Sequence, residues 1–391
     1  MKQKLVYLLK HNPLIQRVYQ YTMSVVFRTI GLFVPVDPDL VLFVSFMGTK
    51  YNDSPRAISE YLERDDRYAH LHRVWALEKP QDFPALETVK IDTPRYFLTA
   101  LRAKYWVTNT NIERGLHFKK KNQIYLNTWH GVALKTIGND CPGRSDYDFS
   151  NINYMCVSGA HDERVFASAF RVKPESCLRC GMPRNDRLYR ATAEEKRQLR
   201  LALGIPDGKK VILYAPTWRD STDGGRSYAL KPPIHFDAWK QELGADFVVL
   251  FRAHHMTTKV LNVQFNDFVR DCSDYPDIND LMIAADLLIT DYSAVAFDYS
   301  ILQRPILIFA YDYADYIAER GTYFDMAEVY PSEIYQDEEG LLNALRSLDL
   351  ERASAWTAAF SKQFMEHGGS ATQACVEALF GEREEKRRRS E

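Results

Sequence analysis

The stretch Leu287-Leu288-Ile289-Thr290-Asp291-Tyr292-Ser293-Ala294-Val295-Ala296-Phe297-Asp298-Tyr299-Ser300-Ile301-Leu302 decides the fold class. Leu287–Thr290 reads as a buried strand, a polar turn follows, and Ala294–Leu302 reads as a helix opened by Ser293. The same alternation recurs on either side. Lys210–Ala215, Phe247–Arg252 and Pro305–Phe309 read as further strands. Glu194–Leu203, Phe236–Leu243, Asp277–Ala285 and Glu339–Leu348 read as further helices. Strands alternating with helices are the pattern of an α/β protein with parallel sheets.

An earlier set has the same grammar. Leu40–Phe46, Arg73–Leu77, Tyr105–Thr108, Gln123–Asn127 and Tyr154–Val157 are expected strands, with helices over Pro55–Arg64 and Pro94–Lys104. Ala353–His367 and Ser370–Phe380, parted by Gly368-Gly369, read as closing helices. A chain of 391 residues has room for two such domains. The expectation is an α/β fold of two Rossmann-like domains, residues 39–175 and 176–381, facing each other across a cleft. Open α/β sheets bind ligands beyond the carboxyl ends of their strands, so residues at those ends are the functional candidates.

Composition narrows the function classes. Apolar residues make up 46% and charged residues 26%, which excludes disorder. Fifty Lys and Arg against 52 Asp and Glu leave no basic field for nucleic acid. The distribution is uneven, however: Lys2, Lys4, Lys10, Arg17 and Arg28 precede the first acid, Asp37. Within this arm, residues 1–38, Asn12-Pro13 marks a helix start, and Leu14, Val18, Tyr21 and Val25 recur at helical spacing. The apolar run is shorter than a membrane span. A basic amphipathic helix lying on an anionic membrane surface is one reading, and a helix packed across the following domain is the other. The tail, residues 382–391, is charged and reads as a solvated end. Cys141, Cys156, Cys177, Cys180, Cys272 and Cys375 have no regular spacing, which suits a reducing compartment, and the Cys177-x-x-Cys180 pair reads as structural thiols.

No GxGxxG follows the first strand and no GxxxxGK[ST] occurs, which disfavours a dehydrogenase or P-loop kinase. Instead Gln123–Asn127 runs into Thr128-Trp129-His130-Gly131, placing an imidazole at a strand end beside a glycine. His130 is a candidate general base, or else a structural histidine. Lys210–Ala215 runs into Pro216-Thr217-Trp218-Arg219, Phe247–Phe251 into Arg252-Ala253-His254, and Leu287–Ile289 into Thr290-Asp291-Tyr292-Ser293. Hydroxyl, guanidinium and imidazole groups at three strand ends favour a diphosphate, with Arg184 adding charge. Singly, each has a plainer reading: Ser293 and Asp291 as caps, Arg252 as an ion pair, Trp218 as core.

Several of these stretches together resemble the CDP-glycerol glycerophosphotransferase family, the teichoic-acid primases, polymerases and capsule-polymer relatives. They are Trp129-His130-Gly131 with Leu134-Lys135, Gly181-x-Pro-Arg184-Asn-Asp186, Tyr214-Ala-Pro-Thr217-Trp-Arg219, Arg252-x-His254, and Thr290-Asp-Tyr-Ser293 with Phe297-Asp298-Tyr299. Ser45-Phe-x-Gly48-x-x-Tyr51-x-Asp53-Ser-Pro-Arg56 also belongs to the pattern. The resemblance implies a glycosyltransferase-B-like fold and transfer of a polyol phosphate from CDP-glycerol, or a related CDP-alditol, to a hydroxyl of a lipid-linked acceptor, releasing CMP. By position it implies His130 as base and His254 as a second catalytic histidine. Trp129, Gly131, Arg184, Pro216, Thr217, Arg252, Ser293, Ala294 and Asp298 fall at donor-contacting positions. Val132-Ala133 and Ala294 depart from the family, which usually has Thr-Pro and a second Ser there. The implied acceptor is undecaprenyl-diphosphate-linked or another lipid-linked glycan at the cytoplasmic face of a bacterial membrane. No obligatory metal is expected, since no DxD or acid pair accompanies the motifs. The other readings are a glycosyltransferase of the same fold with a nucleotide-sugar donor and a catalytically inactive assembly subunit. The chain's length leans toward a primase.

Overall fold

The computed structural model describes residues 12–144, 146–217, 229–253, 259–260 and 263–388. Seven strands build the first sheet: β1 (Asp37–Val44), β2 (His72–Leu77), β3 (Thr88–Lys90), β4 (Ala103–Thr108), β5 (Ile124–Asn127), β6 (Tyr154–Val157) and β7 (Cys177–Arg179). Their order is β3-β2-β1-β4-β5-β6-β7, and every pairing is parallel. Val41, Leu42, Phe43 and Val44 are wholly buried, as a strand covered on both faces requires.

The chain continues through β8 (Lys210–Tyr214), β9 (Ala229–Leu230), β10 (Phe247–Phe251), β11 (Lys259–Val260), β12 (Val269–Asp271), β13 (Leu287–Thr290), β14 (Ile306–Phe309) and β15 (Ile334–Tyr335). Six of these form a second parallel sheet, ordered β12-β10-β8-β13-β14-β15, while β9 and β11 pair as a separate ribbon. In both sheets the strand order reverses beside the first strand, between β1 and β4 and between β8 and β13. These are the switch points where open α/β sheets leave a crevice.

The helices that matter to the site are α1 (Pro13–Phe33), α2 (Asp53–Arg64), α3 (Ala160–Phe170), α4 (Val295–Ser300), α5 (Leu350–Phe364) and α6 (Ala371–Arg388). α1 begins as its sequence predicts, with Asn12 Oδ1 accepting from Leu14 N and Ile15 N. One side docks on the first domain: Phe27 stacks on Phe97 at 4.5 Å, and Arg28 Nε donates to the His117 carbonyl at 2.6 Å. The other side leaves Leu14, Val18, Tyr21, Leu32 and Phe33 exposed. Among the described residues no helix is long and apolar enough to cross a membrane.

Two boundaries differ from expectation. β7 joins the first sheet, so that domain runs past residue 175. α5 buries Phe360 and Phe364 against the second sheet's core. The chain then crosses back, and Cys375, Val376, Leu379 and Phe380 of α6 enter the first core with Val41, Phe43 and Tyr105. Apolar spacing marks a helix and its buried face, but it does not say which sheet that face covers.

Candidate active site

β5 ends at Asn127, whose Oδ1 accepts from Trp129 N at 2.9 Å. Trp129 lies at φ +52°, a left-handed turn that swings the next residue across the carboxyl end of β4. There His130 Nδ1 meets the Asn109 carbonyl at 2.8 Å. A carbonyl only accepts, so Nδ1 carries the proton and the Nε2 lone pair is left open, the form a general base needs. Trp129 covers the ring at 4.1 Å and Phe46 at 5.6 Å between centroids. Burial pushes the imidazole pKa below its ordinary 6.5, opposed by the Asn109 carbonyl and Asp53 and assisted by Arg184. His130 is therefore neutral at neutral pH.

Gly131, at φ +156°, is where the first domain touches the second: a Cβ there would stand 2.8 Å from Ala294 Cβ. Only small residues fit on both sides of this contact. The segment after it is gripped by the second domain. Lys135 and Thr322 form an antiparallel bridge, Tyr323 N donates to the Leu134 carbonyl at 2.9 Å, and Val132 and Leu134 sit in the second core.

The second switch point is stitched by Asp291. Its Oδ1 accepts from Thr217 N at 2.8 Å and Tyr292 N at 2.7 Å, tying the loop after β8 to the loop after β13. Thr290 Oγ1 adds a bond to the Ala215 carbonyl at 2.7 Å. Pro216, Thr217 and Ser293 are thereby gathered together. Ser293 Oγ accepts from Val295 N, and α4 is six residues long, shorter than the expected Ala294–Leu302.

Arg184 spans the domains. Its Nη1 reaches Asp53 Oδ2 of α2 at 3.1 Å and its Nη2 reaches Asp298 Oδ2 of α4 at 2.9 Å, with each of the three side chains 10% exposed or less. Burial opposes the guanidinium charge, but the two carboxylates outweigh it and hold its pKa above the ordinary value. Asn185 Nδ2 takes the other Asp298 oxygen at 2.6 Å. Asp53 itself sits at φ +62°, a conformation that costs energy in a non-glycine residue. Asp298 and Arg184 are thus brought together as an interdomain ion triad.

Arg184 and Arg252 line one cavity of about 730 Å³ with Asp53, Arg56, Asp277 and Asn279. Arg252 is anchored by Nη1 to the carbonyls of Cys272 and Tyr275. Lys50, in the loop after β1, is held below its usual pKa first by burial and then by the charge of Arg252. Two cations from opposite domains therefore face one region. His254, Trp218 and Arg219 lie outside the described residues. Sequence reasoning did not single out Lys50, Asp53 or Asn109 as site residues. Asp53 stood inside a quoted motif, whereas Asn109 acts through its carbonyl, which every residue possesses.

Two Rossmann-ordered sheets with a poised imidazole on one wall and a hydroxyl and guanidinium set on the other define a transferase of glycosyltransferase-B-like architecture. The family model for CDP-glycerol:poly(glycerophosphate) glycerophosphotransferase matches residues 26–381, and the chain belongs to that family. It is 32% identical to a teichoic acid poly(glycerol phosphate) polymerase of Bacillus spizizenii, over 97% of this chain and 100% of that one. It is 36% identical to the polymerase of the same name from Staphylococcus epidermidis, over 80% of this chain and 46% of that one, so it spans about half the length of that relative. The solved wall teichoic acid polymerase TagF superposes with a TM-score of 0.82 at 31% identity, covering 98% of both chains, and a variant of it has been solved after a soak with CDPG. A relative matched over its full length is named a polymerase, so length does not select a primase.

Proposed function

We propose that this transferase moves glycerol phosphate, or a related polyol phosphate, from CDP-glycerol to a hydroxyl of a lipid-linked acceptor and releases CMP, in the synthesis of a teichoic-acid or capsule-type polymer. The observation that carries the reading is His130, with Nδ1 fixed on a carbonyl and Nε2 left open at the first switch point. An acceptor hydroxyl is a poor nucleophile at neutral pH, and a positioned neutral imidazole takes its proton as the oxygen attacks the β-phosphorus. The new P–O bond forms as the bond to CMP breaks. Arg252 and His254 offset charge on the transferring phosphoryl and on CMP, while Trp129, Gly131, Arg184, Pro216, Thr217, Ser293, Ala294 and Asp298 shape the donor site.

No metal is obligatory in this scheme. The carboxylates beside the base, Asp53 and Asp298, are both engaged by Arg184, which supports that reading. The exposed apolar side of α1 supports a peripheral seat on the cytoplasmic face of a bacterial membrane, beside the lipid-linked acceptor. Deleting residues 1–36 is expected to release the protein from anionic vesicles, as measured by co-sedimentation. Unchanged binding would retire the anchor.

The deciding assay is CMP release from CDP-glycerol, CDP-ribitol or a UDP-sugar, with and without a short-chain lipid-diphosphate disaccharide and with EDTA in parallel. Acceptor-dependent CMP from a CDP-alditol, persisting in EDTA, is the expected result. Turnover of the UDP-sugar alone would make the chain a sugar transferase.

A further inference from the structure

Three thiols from distant parts of the sequence converge where α6 rejoins the first sheet. Cys156 is on β6, Cys180 lies one residue past β7, and Cys375 is in α6. Their sulfurs all lie within 4.8 Å of one another, with Cys156 and Cys375 at 3.4 Å. Cys156 and Cys375 are wholly buried and Cys180 is 7% exposed. Cys177, the other member of the CxxC pair, turns away and donates to the Lys173 carbonyl. The CxxC motif is therefore split, and a cluster invisible in the spacing takes its place.

We propose that Cys156, Cys180 and Cys375 form a binding site for a thiophilic d10 cation, with Cu(I) the best-matched occupant. With metal–sulfur bonds of about 2.3 Å, three sulfurs in a plane around one ion stand about 4 Å apart, which small side-chain shifts achieve here. Among the described residues no histidine or carboxylate completes the group, so the donor set is three sulfurs. Zinc prefers four ligands, whereas a soft monovalent ion accepts an all-sulfur set. Val41, Phe43, Tyr105, Leu126 and Leu379 share the surrounding core, which keeps the cluster dry and excludes water as a fourth ligand. On binding, each coordinating thiol gives up its proton to solvent and forms a metal–sulfur bond, with no change in oxidation state. The ion would tie the strands at the far edge of the first sheet to the helix that returns from the second domain. Asp186 already holds the start of that helix, accepting from Ala371 N and Thr372 N at 2.8 Å each.

The test uses the full reduced chain under anaerobic conditions. It is titrated with Cu(I) as its acetonitrile complex or with Zn(II), and read by metal retained on gel filtration, by thiols left reactive in denaturant, and by melting temperature. One ion per chain, protection of three thiols and a raised melting temperature are expected, since a ligand bound only to the native state stabilises it. Cys156→Ala and Cys375→Ala should each lose the ion and the shift, while Cys141→Ala and Cys177→Ala keep both. Retention of Zn(II) on the same three residues supports the site with zinc as its occupant. Wild-type chain that retains no more of either metal than Cys156→Ala, or that protects other thiols, overturns the proposal. If the alanine variants do not fold, the wild-type thiol count decides alone. None of these readouts depends on transferase activity.

Discussion

The two sheets share one strand order, yet their switch points are furnished in opposite ways. At β1/β4 the chemistry rests on one side chain, His130, held by a backbone carbonyl and packed between Trp129 and Phe46. At β8/β13 the polar groups hold one another, with Asp291 bonding both loops and Thr290 reaching across to Ala215. A shared fold supplies a crevice, and the residues at its strand ends decide what happens there. The first wall should therefore fail abruptly on single substitution, and the second by degrees.

The sharpest test of that contrast is His130→Ala. General-base assistance is typically about 10²–10⁴-fold, so kcat is expected to fall by that range while CDP-glycerol binding, followed by calorimetry, is nearly kept. Equal losses in kcat and donor affinity would erase the distinction between the walls. Burial lowers the His130 pKa, so the imidazole stays neutral further into acid than free histidine. The acidic limb of kcat/KM is expected below pH 6.5, and Trp129→Ala, which opens the ring to water, should move it upward.

Next in size is the joint between the walls. Removing one partner of a buried ion pair costs about 3–5 kcal/mol, because the remaining charges stay buried. Arg184→Ala, which strands Asp53 and Asp298, is expected to lower stability by that order in urea unfolding. Adding Asp53→Asn and Asp298→Asn to the same chain should recover much of the loss. Full stability of the single variant would mean that the domains are held by other contacts, such as the Lys135–Thr322 bridge.

A smaller effect is expected on the second wall. Ser293→Ala removes one hydroxyl from a site with several polar groups, and a neutral hydrogen bond is worth about 0.5–1.5 kcal/mol, so donor affinity should fall by up to roughly tenfold with kcat little changed. A collapse of kcat would show that the second wall also acts through a single group.

What the sequence disclosed follows the same division. Strand cores such as Leu287–Thr290 were legible because burial on both faces demands unbroken apolar runs, and the strand ends carrying His130, Thr217 and Ser293 were legible with them. The three-residue strands β3 and β12 were not, since each is too short for a period to show. Phe247–Arg252 was legible as a strand and its end, while the partners of Arg184 were hidden. A motif reveals a residue type at a position, whereas Asp53 and Asp298 meet the guanidinium only through tertiary packing of residues more than a hundred apart.

A pH-dependent effect separates the two walls by their acids. Asp291 accepts two backbone N–H groups, whereas Asp162 of α3, in the first domain, is wholly buried with Oδ2 bonded to Ser158 N at 2.9 Å. Burial raises the Asp162 pKa from 3.8 to about 7, against the pull of Ser158 and Ala133 and with the push of Asp298. The folded chain thus holds this proton more tightly than the unfolded chain does. The resulting stabilisation is complete below the unfolded value of 3.8 and is lost as pH rises through about 7. Asp162→Asn keeps an acceptor for Ser158 and never ionises. It is expected to match wild type in urea unfolding at pH 4 and to exceed it at pH 8.5, where the wild-type carboxylate is buried and charged. A constant difference across that range would mean that Asp162 does not change charge between pH 4 and pH 8.5.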